Sequence, residues 1–300
     1  MLCTDVLENF LLNQKLINNS NETILYYKQR IGYFISFVGN IEVENLSISH
    51  YNSYVLYLQN KVTEKKQKLS SYTIKTSLNA VKIFINYCYK QGFNNCNFVI
   101  NIKPYKVNKN TIVVLTPSEI NLLLSSQNEY TCLGLRNLLI ISLMLDAGLR
   151  VSEVINLDVG DINLELELIR VFGKGRKERL VPLTYTIRKY YEKYIFLTKL
   201  VNGALLIDFN TNLRITTSCI RDLMRVIKNK YGFKKLHPHY LRHTFATYYL
   251  LNGGDPVNLQ LILGHETLYM TEHYLHISSE MTMSCNKKYS PLTNIKKPNN

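Results

Sequence analysis

A chain of 300 residues with 46% hydrophobic and 19% charged side chains is long enough for two domains and apolar enough to bury a sizeable core. Bulk disorder is excluded. Lys and Arg number 36 against 22 Asp and Glu, a formal charge of +14, and the excess is spread: 13 against 6 in residues 1–110 and 23 against 16 in the rest. A folded protein with this balance is expected to meet a polyanion, nucleic acid first, although a basic protein with no such partner has the same composition. The longest apolar run, Leu138–Leu145, holds eight residues including Ser142 and is too short to span a membrane. The stretch MLCTDVLENF lacks the basic-then-apolar order of a secretory signal. Six scattered cysteines, with no CxxC pair, fit a reduced, cytoplasmic chain.

Residues 5–100 read as helices. Val6, Phe10 and Leu11 recur at helical spacing, as do Ile24, Tyr27, Ile31, Phe34 and Val38, with Ser20 or Asn21 as the cap. A third helix is expected over Tyr72–Tyr89, with Ile74, Leu78, Val81, Phe84 and Ile85 as its buried stripe. Lys75 and Lys82 lie among these residues and read either as a phosphate-facing side or as a solvated helix surface. Residues 103–112 have no periodicity and hold Pro104 and three lysines, which marks a basic linker. The expected division is 1–107, a linker at 108–112, and 113–300. Thr116-Pro117-Ser118-Glu119 restarts the chain as a capped helix over Pro117–Ser125. A helix over Tyr130–Asp146 then leads to strands Leu166–Phe172 and Arg179–Leu183, and helices follow over Thr184–Thr198 and Ser218–Tyr231.

Four segments set isolated polar groups in apolar surroundings. In Asp146-Ala-Gly-Leu-Arg150-Val-Ser-Glu153, Gly148 permits a sharp turn that aims Arg150 from a junction. Arg150 with Glu153 reads equally as a structural pair and as a ligand clamp. The basic hairpin Gly173–Arg179 carries Lys174, Arg176 and Lys177, and its glycines allow close approach to a backbone phosphate. It is not a nucleotide-binding loop, because the GxxxxGK[ST] spacing is missing, and an exposed basic hairpin is the plain alternative. In His237-Pro-His239-Tyr-Leu-Arg242-His243, His239 and Arg242 share one face at a helix start, a suitable anion site. Zinc held by His237, His239 and His243 is the weaker reading, since no nearby carboxylate or Cys completes the set. Finally, Asp255 caps an apolar helix ending at Leu263-Gly264-His265, and an amphipathic stretch over 266–277 carries Tyr269 and Tyr274. Cleaving a phosphodiester without a metal needs a nucleophile, cations on the non-bridging oxygens and a proton donor for the leaving oxygen. The four segments together supply that inventory.

AGLRVSE, GKGRKERLVPL, HPHYLRHTFAT and LGHETLYMTEHYLH resemble the tyrosine recombinase (phage integrase) family in its compact Xer-like form. The order Arg, Lys, HxxR, His, Tyr agrees, as do the 24 residues from Arg150 to Lys174 and the nine from His265 to Tyr274. The resemblance covers nearly the whole chain. It implies a mainly α fold with a small antiparallel sheet in the catalytic domain, arranged as a two-domain, C-shaped clamp on DNA. Residues 1–107 would be a helical, SAM-like core-binding domain, and residues 113–300 the catalytic domain. The helical half departs from the family in lacking an Asn-Pro pair around Asn101–Pro104.

By motif position, Arg150 and Arg242 would clamp the scissile phosphate, with Glu153 supporting them. Lys174 would protonate the leaving 5′ oxygen, His239 would handle the tyrosine proton, and His265 would bond a phosphate oxygen. Tyr274 would attack, giving a 3′-phosphotyrosyl link with no metal, ATP or other cofactor. Tyr269 is the rival nucleophile, at a spacing unlike the family's. The implied partner is a double-stranded recombination site bound by a homotetramer, or by a heterotetramer with a related recombinase, with room for an accessory factor. The tail bearing Leu275, Ile277, Met281 and Met283 would dock on a neighbouring protomer. A type IB topoisomerase-like enzyme and a catalytically silent DNA-binding protein are the alternatives.

Overall fold

The computed structural model describes residues 1–64, 66–107, 113–173, 177–265 and 267 of a chain that divides into two units, Met1–Asn110 and Thr111–Asn300. The described residues of the first unit form four α-helices: α1 (Cys3–Leu16), α2 (Asn21–Val38), α3 (Ile48–Asn60) and α4 (Ser71–Lys90). The Ser20 hydroxyl caps α2 by accepting the Thr23 N–H at 3.3 Å, and Gly39 ends that helix in the left-handed region at φ 88°. The Ser70 hydroxyl does the same for α4, which is one residue longer at each end than its apolar stripe suggests. Helix α3, not distinguished by periodicity, starts at a Ser47–His50 capping box. Phe10, Ile31, Phe34, Val81 and Phe84 meet in the centre, with Phe10 edge-on to Phe84 at 5.9 Å.

Both candidate lysines sit on α4. Lys75 is half-buried, and the Lys82 ammonium donates to the Ile102 carbonyl at 2.7 Å beside the Tyr51 ring. Burial lowers the Lys82 pKa below the usual lysine value. In this structure its ammonium therefore joins α4 to the chain around Ile102.

The second unit contains α5 (Pro117–Ser125), α6 (Cys132–Leu145), α7 (Val151–Asn156), β1 (Ile162–Asn163), β2 (Leu168–Phe172), β3 (Glu178–Pro182), α8 (Tyr185–Thr198), α9 (Thr217–Tyr231), α10 (Pro238–Leu251) and α11 (Pro256–Leu263). Thr116 and Glu119 form the expected capping box on α5. Helix α6 is apolar almost all round, which suits a central position against α8 and α10. The strands form one antiparallel sheet in the order β1-β2-β3, with Ile169 opposite Val181 and Val171 opposite Arg179. Strand β2 starts at Leu168 rather than at the expected Leu166. The Asn163 side chain accepts the N–H groups of Glu165 and Leu166 at 3.0 and 2.8 Å, and Glu167 takes φ 52°, so those residues make a turn. Strand β3 likewise runs from Glu178 to Pro182 rather than from Arg179 to Leu183. The short β1 carries no sequence signal of its own.

Among the described residues no helix is long and apolar enough to cross a membrane. Lys174, Arg176, Tyr269, Tyr274, the expected linker 108–112 and the expected tail contacts lie outside the described residues, as does the 266–277 stretch apart from Thr267.

The turn between α6 and α7 needs a glycine. Gly148 has φ 65°, and a Cβ there would stand 2.5 Å from the Phe245 ring and 2.8 Å from Leu263. Left-handed strain of about 1–2 kcal/mol adds to an overpacking cost of about 1–3 kcal/mol. Gly148→Ala is therefore expected to lose about 3 kcal/mol of stability, read as a fall in the urea unfolding midpoint. A midpoint equal to wild type would contradict this packing.

Candidate active site

The site is assembled around a buried carboxylate. Helix α7 begins directly after the Gly148 turn, so Glu153 at its third position reaches back and accepts the Arg150 backbone N–H at 2.7 Å through Oε2. Its Oε1 accepts Arg150 Nη1 at 2.8 Å. From β3, Arg179 brings a full fork: Nη1 to Oε1 at 2.8 Å and Nη2 to Oε2 at 2.9 Å. Arg242, on the first turns of α10, has Nη1 at 3.9 Å from Oε2. The Glu153 side chain is 2% exposed, against 6% for Arg242, 13% for Arg179 and 31% for Arg150, so Arg150 is the member of the cluster that opens toward solvent.

Burial by itself pushes the Glu153 carboxyl up, but the hydrogen bonds and charge of Arg179, joined by the Arg150 N–H and guanidinium, outweigh it. The carboxyl sits below its ordinary value and is ionised at neutral pH. Three guanidinium charges thus surround one carboxylate, leaving an excess of positive charge suited to an oxyanion.

Arg242 is fixed from two sides, donating to the Gly148 carbonyl at 2.6 Å and the Leu263 carbonyl at 2.8 Å. His239 lies one turn before it on α10, exposed, yet under the influence of Arg242, Arg150 and Arg221. Partial desolvation and then those charges lower its pKa. His265 follows Gly264, which ends α11 at φ 61°, and its backbone is clipped to Gln260 in both directions at 3.1 and 3.2 Å. Its pKa is pushed down to about 4, by burial first and then by Arg242, Arg150, Arg179 and His243. Both imidazoles are therefore neutral at pH 7 and can both donate and accept.

The fold brings Arg150, Glu153, His239, Arg242 and His265 together from α7, α10 and the end of α11. Lys177 is exposed at the base of the hairpin, where its carbonyl accepts the Gly173 N–H at 2.8 Å. Of the two readings of Arg150 and Glu153, the structural pair is formed. The other histidine of the HxH motif has a local duty: His237 Nδ1 accepts the Tyr240 N–H at 3.2 Å as the cap of α10. Among the described residues no three His, Cys, Asp or Glu side chains are grouped to hold a metal ion.

Two arginines received no role from the sequence. Arg179 stood inside the hairpin string, with nothing local to distinguish it from its basic neighbours. Arg221 lies on α9 with Arg225 and Lys228, a spacing of four and three that puts a basic row on one helix face. That spacing was a usable signal.

A cluster of arginines and neutral histidines anchored on an ionised carboxylate is suited to a phosphate group. Residues 113–281 match the model of the phage integrase family. The tyrosine recombinase of Pseudothermotoga lettingae is 32% identical over 262 residues, covering 86% of this chain and 88% of that protein. The tyrosine recombinase XerC of Staphylococcus epidermidis is 29% identical, covering 91% and 93%. Among solved structures, the Tn1549 transposon integrase in complex with transposon right end DNA aligns with a TM-score of 0.77 at 18% identity, over 97% of this chain and 100% of that one. The chain belongs to the phage integrase family and is a site-specific tyrosine recombinase of the Xer type.

Proposed function

We propose that this recombinase cuts and rejoins duplex DNA at a specific site through a 3′-phosphotyrosyl intermediate on Tyr274. The observation that supports this best is the meeting of Arg150, Arg242, His239 and His265 around the buried Glu153. Arg150 and Arg242 take the two non-bridging oxygens of the scissile phosphate, and His265 hydrogen-bonds one of them. His239 accepts the Tyr274 proton as the phenolic oxygen bonds to phosphorus. The P–O5′ bond breaks, and Lys174 supplies the proton that makes the leaving group a 5′ hydroxyl. Because one phosphoester replaces another, the bond energy is retained for rejoining and ATP is not needed.

Residues 1–107 serve as a DNA-gripping unit through basic side chains such as Lys75, and residues 113–300 as the catalytic unit. Arg176, Lys177 and the α9 row of Arg221 and Arg225 meet the backbone around the cut. Four protomers act on two sites, in the soluble, nucleoid-associated pool. The biological task is the movement of a mobile element or the resolution of chromosome dimers.

The test is covalent trapping in EDTA on nicked duplexes tiled across the DNA flanking its own gene. The expected result is a denaturation-resistant protein–DNA adduct whose labelled peptide contains Tyr274. Absence of any adduct, with plasmid DNA also left unrelaxed, would reduce the protein to a binder. Relaxation of any supercoiled plasmid without a preferred site would favour topoisomerase-like action.

A further inference from the structure

Three consecutive carbonyls close α11, and each accepts from a different arginine. Ile262 takes Arg179 Nε at 2.7 Å, Leu263 takes Arg242 Nη2 at 2.8 Å, and Gly264 takes Arg150 Nη2 at 3.1 Å. The carbonyl end of a helix lacks intrahelical donors and carries partial negative charge, so it suits guanidinium groups. Among these arginines Arg179 is oriented differently. Its two Nη atoms face the two oxygens of Glu153 while its Nε faces Ile262, so every nitrogen of the guanidinium is bonded to protein. Arg150 instead divides its Nη atoms between Glu153 and Gly264, and each of those atoms carries a second N–H.

The surroundings are shaped to this guanidinium. A Cβ at Gly264 would lie 3.1 Å from Arg179 Nη1 and 3.2 Å from its Cδ and Cζ, so the bend that carries His265 is packed directly on the arginine. Arg179 thereby ties β3, the strand that follows the Lys174 hairpin, to α7 through Glu153 and to α11 through Ile262. We propose that Arg179 is a positioning residue for DNA cleavage: it holds Glu153 and the end of α11 in one frame, and so fixes the aim of Arg150. The inference rests on the reading of this site as the cleavage centre.

Lysine cannot replace it. A single ammonium nitrogen cannot meet both Glu153 oxygens and the Ile262 carbonyl, which are spanned by three separate nitrogens in the arginine.

The experiment compares wild type with Arg179→Lys and Arg179→Met, using the full chain. On the nicked duplexes described above, both variants are expected to form adduct about a hundredfold more slowly, the scale of an ångström misplacement. The dissociation constant for the same duplex should change less than about threefold, because every guanidinium nitrogen of Arg179 is already bonded to protein. Wild-type cleavage by Arg179→Lys would overturn the proposal, since charge alone would then suffice. So would a loss seen entirely as weaker DNA binding. A second readout needs no DNA: NMR of arginine-labelled protein reports hindered rotation of the Arg150 guanidinium as separate Nη signals. These should be separate in wild type and merged in both variants. If they stay separate in the folded variants, Arg179 does not orient Arg150. If wild type forms no adduct on any duplex, the cleavage reading fails, and the NMR comparison still decides whether Arg179 positions Arg150.

Discussion

Replacing Tyr274 with Phe is expected to abolish the covalent protein–DNA adduct, a loss of at least about ten-thousandfold in rate, while affinity for the same duplex changes less than about threefold. The substitution deletes one oxygen and keeps the aromatic ring. Arg150 and Arg242 retain their carbonyl and carboxylate partners on α7, α11 and the Gly148 turn, so the arginine cluster is expected to persist. Denaturing electrophoresis reads the adduct and fluorescence anisotropy reads the binding. Adduct at the wild-type rate would place the nucleophile elsewhere, with Tyr269 next to be substituted. Loss of binding together with the adduct would instead mean that Tyr274 supports the fold of the site.

Glu153→Ala is expected to cost the second unit about 4 kcal/mol of stability, because it removes one partner of a buried ionic cluster. Arg179, 13% exposed, would keep only the Ile262 carbonyl, and the Arg150 N–H at the start of α7 would lose its cap. For a unit of this size that corresponds to a fall in melting temperature of roughly 8–16 °C. Glu153→Gln should be milder, since the amide oxygen can still accept. Calorimetry of the three proteins measures this, and a melting temperature within a degree or two of wild type for Glu153→Ala would show that the cluster does not stabilise the fold.

The same carboxylate predicts a pH dependence. The pKa of Glu153 is lower in the folded chain than in the unfolded one, so the unfolded state takes up the proton first on acidification. Its contribution is complete above the ordinary carboxylate range, near pH 4–5, and is lost as pH falls through the lower folded value. His265 adds loss in the same direction, from its ordinary value near 6.5 down to about 4, because the folded chain resists protonating it. Glu153→Gln should remove the carboxylate part of this acid sensitivity and leave the His265 part.

Most helices were legible because their signals are local. The Thr116–Glu119 box, the Ser20 cap, the Asp255 cap and the apolar stripe of α4 each lie within a few residues of the structure they specify. The turn before β2 was misread, because Leu166 looks like a strand residue and only the Asn163 side chain and the left-handed Glu167 end the extension there. Helix α3 was passed over, since its aromatic and polar residues blur the period. At the site, Arg150, Glu153, His239, Arg242 and His265 were legible as residue types at fixed spacings.

The order and spacing of those motifs, and the charge that accompanies them, were enough to point to the family, because such motifs are local strings of residue types. What holds them could not be read that way. Arg179 meets a carbonyl 83 residues away, Arg242 one 94 residues away, and Arg150 one 114 residues away. Hydrogen bonds of that kind depend on where separate helices end in space, and a backbone carbonyl leaves no mark in the sequence. The tertiary structure alone therefore decided that Glu153 is the buried anchor, that the close of α11 receives three arginines, and that Arg179 faces inward.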